Sequence, residues 1–318
     1  MLRGLAVGKF ADGWDWFYRS KSYWKAASTV HPPTVRARLL TDWLGPRSVD
    51  LFHGLNQRLP RRRFRKQIAT FHDLFVLSAE YSTSDFRARF TKQAREAASG
   101  SDLIIAVSSF TGRQIEEYLG VPSSRIRVVH HGVTPRQIPA RRRENVILCV
   151  GAIQKRKNQA NLVKAFRAVP SDWHLVLAGS AGYGAPEVMD CIAESPCRDR
   201  ILVTGYLSAE ELTLWYAKAS IFAFPSFDEG FGIPVLEAMA AGIPVVTSSR
   251  SALPEVSGNA ALLVDPGRPD ELGAALAALA SNEPARLALA ELGRQRASQF
   301  TWEKTVRSTS EIYREVLG

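Results

Sequence analysis

The sequence has few cysteines and no long apolar run. Its 318 residues include only three cysteines, Cys149, Cys191 and Cys197, which lack the Cys-x2-Cys spacing of a structural zinc site. We therefore expect reduced, structural cysteines. No uncharged apolar run reaches the roughly 18 residues of a membrane-spanning helix, and the start lacks the apolar core and cleavage site of a signal peptide. We predict a cytoplasmic protein.

Motifs for a resident metal are also lacking. The six histidines show no His-Glu-x-x-His spacing, and no Asp-x-Asp sequence occurs. Low-complexity blocks are missing too, and 46% hydrophobic with 23% charged residues is an ordinary globular composition. We predict a folded protein with no metal site of its own.

Positive charge is concentrated in the first half of the chain. The net charge is +10, with 25 Lys and Arg against 11 Asp and Glu in residues 1–143, and 16 against 20 afterwards. A basic half suits an anionic membrane surface, a phosphorylated substrate or nucleic acid, and it can also be merely a solvated surface.

Short apolar runs alternate with helical segments along the chain. This pattern predicts parallel sheets with helices on both faces. The predicted strands are 49–52, 67–71, 103–107, 126–129, 146–150, 173–178, 201–204, 221–224, 245–247 and 262–264. The predicted helices are 84–98, 108–119, 161–168, 187–193, 209–219, 234–241 and 270–279.

The polar, proline-containing segment 134–144 separates two such strand sets. We expect two Rossmann-like domains, residues 1–140 and 141–300, whose sheets face each other across a cleft. In open α/β sheets, ligands bind outside the carboxyl ends of the strands. Residues that directly follow the strands are therefore the candidates for chemistry.

The segment 224–242, FPSFDEGFGIPVLEAMAAG, is the most informative one. It predicts a strand end, a glycine-containing loop with Glu229, and a helix that begins at Pro234 and carries Glu237 in its first turn. Glycines permit close approach of a ligand, and a helix start suits a phosphate. The two glutamates could each bind a sugar hydroxyl beside a diphosphate. Alternatively, Glu237 only offsets the helix dipole and Glu229 is a solvated loop residue.

These residues resemble the signature of the retaining GT-B glycosyltransferases of the family-4 type. The resemblance rests on EGFGIPVLE with the following AMAAGIPVVTS and LPEV, on VGAIQKRKN at 150–158, on FHDL at 71–74, and on FTWEKTVRSTSEIYREVL near the end. It covers about residues 49–318. It implies a GT-B fold in which a carboxyl-terminal helix, residues 301–318, returns to the amino-terminal domain.

The resemblance implies a donor site for a nucleotide diphosphate sugar. Glu237 would hold the ribose hydroxyls and Glu229, as a catalytic residue, the donor sugar. Arg156 and Lys157 would hold the diphosphate, and fixed cations stabilise a departing diphosphate without a metal. The backbone around the sugar and distal phosphate would come from Gly230, Phe231, Gly232 and Ile233.

Three further residues follow predicted strands of the first domain. The resemblance places His72 beside the donor sugar as a second catalytic residue, although a lone histidine is often only structural. His53 follows the predicted strand 49–52, so we expect it at the same rim, on the acceptor side. Asp73 could orient a histidine or serve the acceptor hydroxyl.

The basic run 61–66, RRRFRK, lies where such enzymes bind the acceptor. It could contact anionic lipid head groups or a lipid-linked acceptor, or it could be a solvated loop. No recognition motif accompanies it, so we expect no nucleic acid partner. Family members usually begin with a strand and a glycine-rich loop, and Met1 starts at or after that unit, so we expect a shortened amino-terminal domain.

The resemblance therefore implies a metal-independent retaining glycosyltransferase of the mannosyltransferase-like branch, acting in polysaccharide biosynthesis. It would move a hexose to a glycan or lipid-linked acceptor at the cytoplasmic face of the membrane. GDP-mannose is the favoured donor, a UDP-sugar is possible, and no cofactor is expected. Two alternatives are a catalytically silent sugar-nucleotide or glycan-binding partner and a GT-B nucleotide-sugar epimerase.

Overall fold

The computed structural model describes residues 49–61, 63–139 and 142–318 with their side chains, and the backbone of residues 14–18 and 35–39. The strands are β1 (Trp14–Tyr18), β2 (Val35–Leu39), β3 (Leu51–Gly54), β4 (Lys66–Phe71), β5 (Leu103–Ala106), β6 (Ile126–Val128), β7 (Glu144–Val150), β8 (His174–Ala178), β9 (Ile201–Gly205), β10 (Ala219–Phe224), β11 (Val245–Ser248) and β12 (Leu262–Val264).

Helices follow most of these strands along the chain. They are α1 (Phe75–Ser78), α2 (Ser84–Gly100), α3 (Ser109–Leu119), α4 (Gln159–Ala165), α5 (Ala185–Ala193), α6 (Ala209–Lys218), α7 (Ile233–Ala240), α8 (Leu253–Ser257), α9 (Pro269–Ala280), α10 (Glu283–Ala297) and α11 (Trp302–Leu317). Single 3-10 turns lie at Ser123–Arg125, Lys155–Lys157, Phe166–Ala168 and Arg198–Arg200.

The strands form two main parallel sheets. The amino-terminal sheet has the order β3-β4-β5-β6, and the carboxyl-terminal sheet has the order β12-β11-β10-β7-β8-β9. Strands β1 and β2 pair with each other in parallel. The arrangement confirms the predicted fold of two parallel-sheet α/β domains. The exact boundary near residue 140 stays a prediction, because residues 140 and 141 lie outside the described residues.

Apolar side chains cover the carboxyl-terminal sheet on both faces. One face packs residues such as Leu148, Phe222 and Met239 together, and the other packs Ile147, Leu175 and Leu276. The strand β10 is buried along its whole length. A continuous apolar strand of this kind is typical of the centre of a covered parallel sheet, and it carries the loop at 225–232 on its end.

The carboxyl-terminal helix returns to the amino-terminal domain, as predicted. Ile312, Tyr313 and Val316 of α11 pack with Ile68 and Ile105 of the four-stranded sheet. Near the start of this helix the backbones approach closely, since a Cβ at residue 132 would lie 2.3 Å from the backbone N of Trp302. The last helix therefore covers one face of the first sheet.

One strand differs from the prediction in a way that matters for the site. His53 does not follow a strand ending at residue 52, because β3 extends to Gly54 and His53 pairs with Ile68 within the sheet. The imidazole fits inside the sheet because both ring nitrogens find partners there, Nε2 with Thr70 Oγ1 at 2.8 Å and Nδ1 with the Tyr313 hydroxyl at 2.6 Å.

The three cysteines are all free, and Cys149 and Cys197 are buried. Among the helices that the structure describes, none combines the length and the apolar character needed to cross a membrane. The expected departure of the amino terminus from the family pattern falls on residues that include 1–13, outside this description.

Candidate active site

Two loops meet where strands of the two domains end. Strand β4 ends at Phe71 and is followed by His72 and Asp73, and strand β10 ends at Phe224 and is followed by the loop 225–232. These are the carboxyl ends of parallel strands, the edge at which open α/β sheets bind ligands. The two loops touch each other, so residues predicted separately lie in one place.

Glu229 is buried and ion-paired. Its carboxylate lies 2.6 Å from Lys157 Nζ and 3.0 Å from Arg156 Nη1, and its side chain is only 10% exposed. Burial raises the pKa of Glu229, but the two cations and their hydrogen bonds outweigh burial, so the net pKa lies below its ordinary value. The interpretation of Glu229 as a solvated loop residue is therefore wrong.

The turn Lys155–Lys157 holds the two cations in place. It ends at Asn158, whose φ of 59° is left-handed, and the Asn158 amide donates to the carbonyl of Pro225 at 3.0 Å. Arg156 also donates to the Asp228 carbonyl and lies 4.3 Å from the ring centroid of Phe75, which belongs to the other domain. The cationic turn therefore contacts both domains.

Gly230 forms the closest contact between the two loops. A Cβ atom at this position would lie 1.7 Å from the carbonyl oxygen of His72 and 2.9 Å from Asp73 Cβ. The Gly230 carbonyl accepts hydrogen bonds from Ser108 Oγ at 2.7 Å and from Thr111 Oγ1 at 3.1 Å. Only glycine fits here, because the backbone carbonyl of His72 occupies the space of a side chain.

Both ring nitrogens of His72 are hydrogen-bonded inside the amino-terminal domain. Nε2 lies 2.7 Å from the carbonyl oxygen of Leu55, and Nδ1 lies 3.2 Å from Nε2 of His131. The neighbouring Asp73 has a raised pKa, mainly through burial, although the charge of Arg156 opposes the rise. The structure thus places His72 and Asp73 beside Glu229 and its cations.

Glu237 lies apart from Glu229, on the more exposed side of helix α7, and its side chain is 21% exposed. Its carboxylate lies 2.9 Å from Arg136 Nη2 and accepts a hydrogen bond from the Tyr216 hydroxyl at 3.0 Å. The prediction that Glu237 lies in the first helical turn is wrong, because α7 begins at Ile233 and Glu237 is its fifth residue. The helix starts one residue earlier than expected because Gly232, with φ of 105°, supplies the reversal before it.

The loop residues between the glutamates take distinct positions. Phe231 is buried and contacts the rings of His130, His131 and Phe300, whereas Ile233 is 40% exposed. These aromatic contacts hold the loop against the segment that connects the two domains.

His53 lies on the side of the four-stranded sheet that the carboxyl-terminal helix covers. Burial lowers the pKa of His53 to about 3, with a smaller effect of the charge of His72. With both nitrogens bonded to Thr70 and Tyr313, the neutral ring serves the packing of that helix in this structure. An acceptor-side role for His53 stays a prediction.

Sequence reasoning missed Asp228, which precedes Glu229. Its Oδ2 accepts a hydrogen bond from Ser78 Oγ at 2.6 Å and lies 3.5 Å from Gln114 Nε2, both in the other domain. Burial raises the pKa of Asp228, while the hydrogen bond from Ser78 and the charge of Arg156 lower it. In the sequence, only its position directly before Glu229 indicates that Asp228 belongs to the site.

Glu255 of the LPEV segment reaches across to the amino-terminal domain. Its carboxylate accepts the backbone N–H groups of Ser109 at 2.8 Å and Phe110 at 3.2 Å, at the start of helix α3. Nε2 of His130 lies 2.7 Å from the same carboxylate. This glutamate therefore satisfies helix N–H groups of the opposite domain, which no local pattern predicts.

The basic run lies on the surface of the amino-terminal domain, and Arg62 falls outside the described residues. Arg63 lies 3.3 Å from Asp102 and Arg65 lies 3.4 Å from Asp50, with 65% and 74% of the arginine side chains exposed. Exposed pairs of this kind contribute little to stability. These guanidinium groups therefore stay accessible to a ligand.

Two family models match the sequence. The model described as "Glycosyl transferases group 1" matches residues 133–296, and the model described as "Glycosyltransferase Family 4" matches residues 17–137. The first match contains both glutamates and the cationic turn, and the second contains His72 and Asp73.

A curated relative covers most of the chain. The O-antigen chain mannosyltransferase B of Escherichia coli is 30% identical over 282 residues, which are 83% of this chain and 74% of that protein. The chain spans 32–61% of the length of seven further curated relatives, less than two thirds of each.

Solved structures agree on the fold. Sucrose-phosphate synthase from Thermosynechococcus elongatus is similar with a TM-score of 0.79 and 22% identity, over 99% of this chain and 92% of that one. Anabaena Alr3699/HepE in complex with UDP-glucose is similar with a TM-score of 0.73 and 18% identity, over 89% and 86% of the chains. At these identities the likeness supports the fold alone.

Proposed function

The chain belongs to the group 1 family of glycosyl transferases, and from this premise we propose that it moves a hexose, with mannose favoured, from a nucleotide diphosphate sugar to a glycan acceptor in polysaccharide biosynthesis. The name of the Escherichia coli relative supports mannose and an O-antigen-like product. GDP-mannose is the favoured donor. A UDP-sugar is the alternative, because the similar HepE structure holds UDP-glucose.

The observation that carries this proposal is the buried cluster of Glu229, Arg156 and Lys157. Two cations lie against one carboxylate, so the cluster carries net positive charge where the two loops meet. A departing nucleoside diphosphate develops negative charge, and buried cations with fixed positions stabilise that charge strongly. Arg156 and Lys157 would bind the diphosphate oxygens and Glu229 a hydroxyl of the donor sugar.

We assign the ribose hydroxyls to Glu237. Arg136 and Tyr216 hold its two carboxylate oxygens, each through one bond, so lone pairs on both oxygens stay available to a diol. Gly232 precedes helix α7, and Glu237 is the fifth residue of that helix. In this assignment the sugar of the donor lies near the start of the helix, and its ribose lies further along the helix.

Retention and metal independence are part of the proposal. Glu229 is ion-paired with two cations, which makes it a poor nucleophile, so we assign no covalent intermediate. The acceptor oxygen would attack the face from which the diphosphate leaves and pass its proton to a phosphate oxygen. The positive charge that another enzyme takes from a metal would come from Arg156 and Lys157.

We further propose that the acceptor is lipid-linked and that the exposed arginines Arg61, Arg63 and Arg65 contact its diphosphate or an anionic membrane. Their exposure supports this assignment. Co-sedimentation with neutral and with anionic vesicles tests it. The triple replacement by glutamine should abolish binding to anionic vesicles, and binding that is unchanged by the replacement contradicts the assignment.

Thermal unfolding with GDP, UDP, ADP and dTDP, with magnesium and with EDTA, tests the donor site. A ligand at 100 times its Kd stabilises the folded protein by about 2.7 kcal/mol. We expect one nucleotide to raise the Tm in both buffers, and Glu237→Ala to lose this shift. The exposed Glu311 gives a matched control, since Glu311→Ala should keep it.

Product analysis by NMR then tests the reaction itself. With GDP-α-mannose and an acceptor, we expect an α-linked product, and a β-linked product contradicts retention. No stabilisation by any of the four nucleotides contradicts the proposed donor site.

A further inference from the structure

The ring of His131 lies close to three other rings from separate segments of the chain, those of His72, Phe231 and Trp302. It is nearly parallel to the ring of His72, with centroids 5.2 Å apart and an interplanar angle of 13°. The edge-to-face contact with Phe231 spans 5.2 Å between centroids, and Trp302 lies 6.0 Å away on another side. His131 is buried, with 6% of the residue exposed.

The hydrogen bonds of His72 determine which nitrogen carries its hydrogen. The carbonyl of Leu55 can only accept, and it lies 2.7 Å from Nε2 of His72, so Nε2 carries a hydrogen. A neutral His72 then has a lone pair on Nδ1. Nε2 of His131, 3.2 Å from that lone pair, must donate to it.

The hydrogen of His131 is therefore also on Nε2, and its Nδ1 is a bare lone pair. Consistent with this, Nδ1 of His131 is buried and has no hydrogen-bond partner among the described residues. Burial lowers the pKa of His131 to about 3, so the ring is neutral at neutral pH.

We propose that His131 is a positioning residue that holds His72 as a neutral imidazole with its hydrogen on Nε2. His131 donates to His72, and its other contacts are with Phe231 of the glycine-containing loop and with Trp302 of helix α11. The ring of His72 is fixed at both nitrogens, and its backbone carbonyl is held against Gly230. His72 thus enters the reaction as an oriented neutral group, without a free nitrogen to act as a general base.

This inference rests on the proposed function only for where the reaction takes place, since the hydrogen positions can be measured without turnover. The first test is the ring 15N spectrum of uniformly labelled protein, in which the two nitrogens of each neutral histidine report whether they carry hydrogen. The chain has six histidines, and single His72→Gln and His131→Gln replacements assign the two signals.

We expect a protonated Nε2 and a bare Nδ1 in both rings at neutral pH. Hydrogen on Nδ1 of either ring, or a positively charged His72, overturns the proposal. This measurement stands even if no transferase activity is found, so failure of the proposed function and failure of this inference are distinguishable.

The second test separates the hydrogen bond from the ring packing. His131→Phe keeps an aromatic ring against Phe231 and Trp302 but removes the donor, whereas His131→Gln places an amide N–H near the position of Nε2. We expect His131→Phe to lower kcat by about tenfold, the order of one lost hydrogen bond, with the donor KM within about twofold of wild type.

His131→Gln should recover most of that loss. Equal kcat values for the two variants mean that only packing matters and overturn the proposal. His174, which is exposed at the start of β8, gives a matched control, since His174→Gln should change neither kcat nor the spectrum of His72. Far-UV circular dichroism and the remaining histidine signals establish that each variant is folded.

Discussion

The carboxylate of Glu255 lies 2.7 Å from Nε2 of His130, and this pair joins the two domains. Glu255 belongs to helix α8 of the carboxyl-terminal domain, and His130 follows strand β6 of the amino-terminal domain. The same carboxylate satisfies two N–H groups at the start of helix α3. One side chain thus completes a helix end that belongs to the opposite domain.

Replacement of Glu255 by Gln should destabilise the protein in a pH-dependent way. Burial raises the pKa of Glu255, but the hydrogen bonds from His130 and the backbone outweigh it and set a pKa of about 2. Because this pKa lies below the ordinary glutamate value of 4.5, the contribution of Glu255 to stability is fully present above about pH 4.5 and is lost as the pH falls towards 2. We expect Glu255→Gln to lower the free energy of unfolding by about 1–2 kcal/mol at pH 7, which is the typical effect of losing a charged side chain that caps a helix. At pH 3 we expect a smaller decrease. Urea unfolding at both pH values measures this, and an equal loss at the two pH values contradicts it.

Replacement of Glu229 by Ala should separate donor binding from catalysis. It leaves Arg156 and Lys157 buried without their carboxylate, which should cost about 3–5 kcal/mol of stability. GDP supplies the missing negative charge, so the nucleotide should raise the Tm of the variant more than that of wild type, while turnover of GDP-mannose falls steeply. Calorimetry with GDP and a transfer assay check both parts. Weaker GDP binding in the variant would mean that Glu229 itself contacts the nucleotide.

Replacement of Glu237 by Ala should weaken nucleoside diphosphate binding by about 1–3 kcal/mol, because one or two hydrogen bonds to charged oxygen are lost. The hydroxyl of Tyr216 orients only one carboxylate oxygen, so Tyr216→Phe should cost less. Titration calorimetry with GDP compares the two variants. An unchanged affinity in Glu237→Ala removes this residue from the donor site.

Replacement of Gly230 by Ala should abolish most activity without unfolding either domain. The added Cβ would lie 1.7 Å from the carbonyl oxygen of His72, so the two loops must move apart by more than 1 Å. A displacement of this size at a reaction centre can cost about 100-fold in rate. Gly267→Ala is a matched control, because its Cβ would meet nothing closer than 3.4 Å. Equal kcat values for the two variants would contradict the importance of the contact.

Much of the fold could be predicted from apolar periodicity, because parallel strands buried on both faces give continuous apolar runs. The ends of strands β3 to β12 lie within two residues of the prediction. Helices α1, α8 and α10 were not predicted. The buried positions of helix α10 are the small residues Ala290, Gly293 and Ala297, whereas Leu287 and Leu292 are exposed, so apolar periodicity does not reveal this helix.

The residues of the candidate site could be predicted where they belong to a short sequence motif. Arg156 and Lys157 contact Glu229, and the carbonyl of His72 lies against Gly230, while the roles that the resemblance implies for these residues stay predictions. Pairings between distant residues were not predictable: Arg136 with Glu237 is separated by 101 positions, and His53 with Tyr313 by 260. Such pairs depend on how the domains pack, and a single sequence carries no local signal for them.

Helix α11 is the last helix of the chain but packs on the first domain, and this affects the order in which the protein can fold during synthesis. Residues of the four-stranded sheet are translated early, yet the helix that covers Ile68 and Ile105 begins only at Trp302, about 200 positions after Ile105. Until residues 302–317 have left the ribosome, that apolar face has no cover from them, and apolar faces of this kind are prone to aggregation. Completion of the first domain is therefore coupled to completion of the second.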